Sequence, residues 1–279
     1  MSNTILLVYE GEKIEGQVFN SIEKFFPPAS NGQKITRISF KAEIRQLWDE
    51  IKDDADLDIV EVLKQRPGSD IKNLARKDVS EVHLFFDHDG HSHSDIMSKQ
   101  DYNEMINKLL DAFDNEFERG KLWLSYPMIE SIKHCTDNPA DCFHDAFLDM
   151  TDNIHYKDII DKISHYKDIK KYDENTWHYL TMINIQRTFC LVNNTYEAVS
   201  DYQKIKHWFD QNAVIVKLIQ EKQYEKFILP KNQVVALSPF PLFLINYFGE
   251  KYFNECKKEV VTKNCSFSCY QNTQTIKKP

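Results

Sequence analysis

Glycine and proline are scarce in this chain of 279 residues, at 7 and 9. An all-β protein built on many tight turns needs more of both, so that class is disfavoured. There is no stretch of roughly 18 apolar residues of the kind a membrane helix requires. The longest apolar segment, near 240–248, is interrupted by Pro241 and Asn246. The opening Met1-Ser2-Asn3-Thr4 lacks the basic region of a signal peptide, and the apolar run behind it stops at Glu10. A cytoplasmic protein with no membrane segment is expected. Surplus positive charge is also missing, with 43 acidic against 35 basic side chains and a net charge of -8. That balance argues against coating nucleic acid by bulk charge. It remains compatible with an enzyme that gathers carboxylates around metal ions, which then meet the phosphate. The six cysteines (Cys135, Cys142, Cys190, Cys256, Cys265, Cys269) form no Cys-x-x-Cys pair, which points to reduced thiols rather than a zinc site.

What the chain does have is enough apolar material for a substantial core: 42% hydrophobic and 13% aromatic residues. Residues 4–9 form a short unbroken apolar run, the pattern of a strand buried on both faces of a parallel sheet. Val18, Ile22, Phe25 and Phe26 then recur at helical spacing until Pro27-Pro28. The pattern predicts a strand at 35–40, a helix at 41–53, a strand at 58–63 and a short helix at 69–75. A second buried-strand run, Val82-His83-Leu84-Phe85-Phe86, is followed by helical periodicity over 99–118 and a strand at 121–125. Proline 127 and the residues after it start a helix over 128–135. Alternation of strand and helix predicts a parallel α/β sheet flanked by helices. Beyond it, 141–149, 156–165, 174–192 and 197–222 read as helical, and only 234–237 as a strand. The expected division is an α/β domain over 1–138 and a mainly helical C-terminal region over 139–279, with the boundary near Asp137-Asn138-Pro139.

Two acidic groups stand at strand ends. Glu10 closes the first apolar strand, Gly11 permits a tight turn, and Glu15 follows about one helical turn later. Ligands of open parallel sheets bind outside the carboxyl ends of the strands. Taken alone, this is equally a charged turn with Glu12 and Glu15 complementing a helix dipole. Asp87-His88-Asp89 closes the second strand. Aspartates two apart on an extended chain point the same way and repel unless a cation lies between them. Close carboxylates suit Mg²⁺ or Mn²⁺. A solvated acidic turn is the alternative. His88, His91 and His93 crowd this loop, as exposed histidines or as extra ligands for Mn²⁺ or Zn²⁺. Lys13 and Lys133 lie close in sequence and would neutralise developing charge. Tyr166, Lys167, Lys170, Lys171, Tyr172 and Trp177 interleave aromatic and basic groups, either for nucleic-acid stacking or as an amphipathic face.

Together, Val8-Tyr9-Glu10-Gly11-Glu12-Lys13-Ile14-Glu15, Phe85-Phe86-Asp87-His88-Asp89 and Ser125-Tyr126-Pro127-Met128-Ile129-Glu130-Ser131 resemble the motifs of TOPRIM nucleases of the RloB and OLD type. The resemblance covers about the first 130 residues. It implies a TOPRIM-like fold and a metal-dependent nuclease, an endonuclease acting on DNA or RNA, tRNA included, in antiviral defence. It further implies an ABC-type ATPase partner and leaves oligomerisation open. Under it, Glu10 is a catalytic metal ligand or general base, Asp87 and Asp89 are catalytic ligands for Mg²⁺ or Mn²⁺, and Glu15 is an accessory metal ligand. Glu130 matches the later catalytic acidic position, to hold a metal or orient the other carboxylates, or else is a carboxylate that merely complements a helix N-terminus. Tyr126 and Met128 stand where such nucleases often carry Asn or Cys. The competing expectation is a non-catalytic, partner-binding subunit on the same scaffold.

Overall fold

The computed structural model describes residues 4–25, 34–54, 57–66, 69–89, 96–135, 146–150, 155–195, 197–209 and 214–262. Strands β1 (Thr4–Tyr9), β2 (Lys34–Ser39), β3 (Val79–Asp87), β4 (Asp114–Asn115) and β5 (Gly120–Ser125) form one sheet in the order β2-β1-β3-β5-β4. Strands β2, β1, β3 and β5 run parallel, and β4 pairs antiparallel with β5. The intervening helices are α1 (Ile14–Phe25), α2 (Ile44–Ile51), α3 (Ile59–Gln65) and α4 (Lys99–Ala112). β1 and β3 form where buried-strand runs predict them, because a strand covered on both faces has no polar side to alternate, and β5 forms around Leu122-Trp123-Leu124.

The chain steps from β1 to β2 on one side and returns to place β3 on the other side of β1. Right-handed crossovers then put α1 on one face of the sheet and α2, α3 and α4 on the opposite face. The α1 face is completed from the C-terminal half of the chain. There α5 (Tyr156–Ile163), α6 (Glu174–Asn193), α7 (Val214–Gln223), α8 (Leu229–Lys231) and α9 (Pro239–Thr262) accompany a small antiparallel pair, β6 (Phe147–Asp149) and β7 (Gln233–Val235). Phe240 of α9 stacks on Phe85 of β3 at 5.0 Å between ring centroids and 9° between planes. It also meets Phe19 of α1 edge-on at 5.4 Å. Phe243 packs against Phe85 and Trp123 at 5.4 and 6.1 Å. One hydrophobic cluster therefore runs from Ile5 to Cys256 through both halves. Among the described residues, no helix is long and apolar enough to cross a membrane.

Several expectations are corrected. Residues 58–63 lie largely in a helix, α3: Asp58 caps it by accepting the Val60 N–H at 2.9 Å, and Ile59, Val60, Val62 and Leu63 are buried at helical spacing. Their β-branched side chains imitate a strand, but burial on one helical stripe decided the outcome. No helix forms over 69–75; turns at 70–73 lead into a 3-10 turn at Arg76–Asp78. The helix expected to reach residue 118 stops at Ala112, because 114–120 fold back as a hairpin onto β5. Residues 128–135 make only a 3-10 helix, Ile129–Lys133. Of 141–149, the described part is strand β6 rather than helix. The stretch 197–222 breaks into 3-10 turns at Tyr202–Lys204 and Lys206–Trp208 before α7.

Candidate functional site

In the strand order β2-β1-β3, the carboxyl ends of β1 and β3 lie side by side where the winding of the chain reverses. This is the crevice in which open α/β sheets take ligands. Glu10 follows the end of β1 and Asp87 is the last residue of β3. The Glu10 carboxylate accepts the backbone N–H of Asp87 at 3.0 Å, and the Glu10 N–H in turn bonds the Phe85 carbonyl at 3.1 Å. Glu15, on the first turn of α1, is buried and folds back so that its carboxylate accepts the Gly11 N–H at 2.9 Å. A Cβ on residue 11 would stand 3.0 Å from that Glu15 oxygen, so glycine is what lets the carboxylate lie so close. The sequence placed Glu10, Glu15 and Asp87 in one crevice, and the structure does too.

Asp89 reaches the same crevice by another route. The chain is no longer extended there; Asp89 has φ 47°, a left-handed conformation that Asp tolerates better than most residues. Its N–H bonds the Pro127 carbonyl at 3.1 Å, which ties the loop after β3 to the loop after β5. His88 between the two aspartates is 2% exposed and stacks on Tyr126 at 5.0 Å. Its carbonyl accepts the buried Tyr102 hydroxyl. His91 and His93 lie outside the described residues.

The electrostatics are one-sided. Burial, and then the charges of Asp89, Glu15 and Glu43, push Glu10 up to about 8, against the opposing hydrogen bond from the Asp87 amide. Burial, and then Glu10, Asp89 and Glu15, hold Asp87 well above the usual carboxylate range, with the Ile129 N–H opposing. Tyr102 is raised as well, by burial and then by Asp89 and Glu10. Every side-chain charge that bears most on Glu10 and Asp87 is negative. A divalent cation would complement such a set, and all-oxygen donors suit Mg²⁺ or Mn²⁺. Among the described residues, however, no three His, Cys, Asp or Glu side chains are gathered as a ready-made ion cage.

Glu130 is placed differently. It is buried, 3.7 Å from Lys157, and its charge acts on the buried Tyr156. Its neighbour Ile129 provides the backbone N–H that meets Asp87. Lys133 is buried and bonds Asp161 at 3.3 Å, whereas Lys13 is exposed. Tyr172 and Trp177 are packed in the core and Tyr166 stacks on Tyr179 at 5.7 Å, while Lys167, Lys170 and Lys171 face solvent. That stretch is an amphipathic surface, not a row of exposed rings for bases. Sequence reasoning missed Glu43, Tyr102 and the Ile129 amide, because each reaches the crevice only through tertiary packing. Compared with protein-family models, curated proteins and solved structures, the chain matches none.

Proposed function

We propose that this protein is a divalent-metal-dependent phosphodiester hydrolase, a nuclease, with its active site in the crevice at the ends of β1 and β3. The observation that carries the proposal is the convergence of Glu10, Asp87, Asp89 and Glu15 there, where burial first and then the neighbouring carboxylates raise the proton affinity of Glu10 and Asp87. Glu10, Asp87 and Asp89 would hold Mg²⁺ or Mn²⁺, with Glu15 as an accessory ligand. The bound cation supplies Lewis-acid activation of a phosphate oxygen and lowers the pKa of water. Glu10 and Asp87 each keep one backbone N–H as a partner, which fixes the orientation of their carboxylates. His88, between the two aspartates, is buried and packs against Tyr102 and Tyr126, which fixes the loop that carries them.

The resemblance of residues 8–15, 85–89 and 125–131 to TOPRIM nucleases of the RloB and OLD type supports DNA or RNA as the substrate class. It also supports a role in antiviral defence and control by an ABC-type ATPase. Purified protein is expected to cleave DNA or tRNA only with Mg²⁺ or Mn²⁺, in the presence of the ATPase if that partner is needed. Glu10→Ala and Asp87→Ala are each expected to lower cleavage about a hundredfold or more, the upper range seen when even supporting residues of a metal site are lost. Full cleavage by both variants would end the proposal.

The lack of a preassembled three-donor cluster among the described residues favours a second reading, a non-catalytic subunit that uses the same scaffold to bind a partner. Mn²⁺ titration followed by electron paramagnetic resonance separates the two. A nuclease binds Mn²⁺ in a manner that Asp87→Ala abolishes, and a scaffold does not.

A further inference from the structure

Beside Glu10 on the same edge of the sheet lies a second depression, a cleft of about 450 Å³ lined by Tyr9, Arg37, Ser39, Lys41, Arg66 and Ser69. Its volume falls in the range of small-ligand sites, enough for one nucleotide unit and too small for a duplex. Arg37, Lys41 and Arg66 line it together with the carboxylates of Glu12 and Asp70, and each of the three cations is paired with a glutamate. The cleft neighbours the acidic crevice through the backbone of Glu10. The Lys41 N–H bonds the Glu10 carbonyl at 2.9 Å, and the Ser39 hydroxyl lies 3.5 Å from the same oxygen.

The two arginines are held in place before any ligand arrives. Arg66 lies over the Phe40 ring with Cζ 3.7 Å from the centroid, and its side chain is 21% exposed. Arg37 lies 5.8 Å over Phe19, bonds Glu23 at 3.0 Å and Asn20 at 2.7 Å, and is 19% exposed. A guanidinium stacked on a ring is fixed in plane, and one carboxylate does not use all of its donors. Arg66 pairs with Glu50 and so retains donors for a further anion. Lys41 pairs with Glu12 at 2.6 Å, and both side chains are largely exposed, at 59% and 63%. A pair so exposed contributes little, so a phosphate can displace Glu12 from Lys41 at small cost. Asp70 and Glu12 line the cleft and oppose an anion, as do Glu23 and Glu50 on the arginines.

We infer that this cleft binds the phosphodiester backbone of a single nucleic-acid strand, with Arg66 and Lys41 on the phosphate next to the one presented to Glu10 and Asp87, and Arg37, engaged by Glu23 and Asn20, contributing charge from behind them. The inference rests on the hydrolase reading above for the identity of the neighbouring site, and it gives that site a single-stranded or locally opened substrate. DNA and RNA share the chemistry, and separate arms of the experiment distinguish them.

The test is fluorescence anisotropy of short labelled single-stranded DNA and RNA, titrated with the full chain in EDTA over a series of salt concentrations, so that no cleavage is involved. Arg66→Ala and Lys41→Ala are each expected to weaken binding about tenfold, as for loss of a charge-assisted hydrogen bond. Each should also reduce the slope of log affinity against log salt by about 0.7, the value for one phosphate contact on a single strand. Arg66→Lys, which keeps the charge and the fold but loses the planar fork, is expected to restore the slope without the full affinity. Lys217→Ala, whose lysine pairs with Asp111 well away from the cleft, serves as the control. The arm that binds more tightly identifies the sugar. Wild-type binding that Arg66→Ala and Lys41→Ala leave unchanged would overturn the inference. So would a failure to bind either strand, or equal binding of a polyglutamate peptide. Loss of metal-dependent cleavage with these binding results intact would count against the hydrolase alone.

Discussion

The carboxylate of Glu10 accepts the backbone N–H of Asp87 at 3.0 Å, across 77 residues of sequence. This bond, with that of the Glu10 N–H to the Phe85 carbonyl, ties the ends of β1 and β3 together and sets two acidic side chains beside each other at the point where the sheet reverses. Like charges so placed and buried raise each other's proton affinity unless a cation intervenes.

That arrangement makes the stability of the metal-free protein pH-dependent. Glu10 changes from an ordinary value of 4.5 to about 8 on folding, so between those values the folded protein keeps a proton that the unfolded chain has released. Stability contributed by this group is therefore present in full below about 4.5 and lost as pH rises toward 8. Asp87, also raised, acts in the same direction. Thermal unfolding in EDTA is expected at progressively lower temperature as the pH is raised through this interval, and Mg²⁺ or Mn²⁺ is expected to reverse the loss at the alkaline end. Asp87→Asn should flatten the EDTA profile and make the metal-free protein more stable near pH 8. A flat wild-type profile, or one that rises with pH, would show that the carboxylates are not coupled in this way.

Phe240 gives a second prediction. It is fully buried and stacks on Phe85, so it links the last long helix to the central strand of the sheet. Phe240→Ala is expected to destabilise the protein by about 3–5 kcal/mol, the usual cost of removing a buried aromatic side chain. Urea unfolding followed by tryptophan fluorescence would measure it. A loss below about 1 kcal/mol would mean that α9 is not integral to the cover of the sheet.

Gly120, which opens β5, has φ 117°, and a Cβ there would come within 2.7 Å of Leu84 Cδ1. Backbone strain and overpacking act together, so Gly120→Ala is expected to cost about 1–3 kcal/mol by the same urea measurement. A neutral or stabilising result would show that β5 can start in a different backbone conformation.

Much of the α/β half was legible because its signals are local. The apolar runs Ile5-Leu6-Leu7-Val8-Tyr9 before Glu10 and Leu84-Phe85-Phe86 before Asp87 need only be covered on both sides to become central strands, and the acids behind them then fall at strand ends. The segment after Asp58 was not legible, because Ile59, Val60 and Val62 favour a strand locally while their burial on one stripe makes a helix. Asp89 was placed in the right crevice for a partly wrong reason, since a left-handed turn and not an extended chain carries it there. The basic residues of the cleft gave no signal at all: Arg37, Lys41 and Arg66 belong to separate segments that ordinary surface charges resemble.

The sequence by itself determined where apolar runs end and which carboxylates follow them, because burial of a continuous run is a local property of the chain. Only the tertiary structure decided that the acids share one crevice, that Glu130 turns to Lys157 instead, and that α9 returns to cover β3. Those outcomes depend on strand order, on crossover handedness and on contacts between residues far apart in sequence, and no short window of residues contains that information.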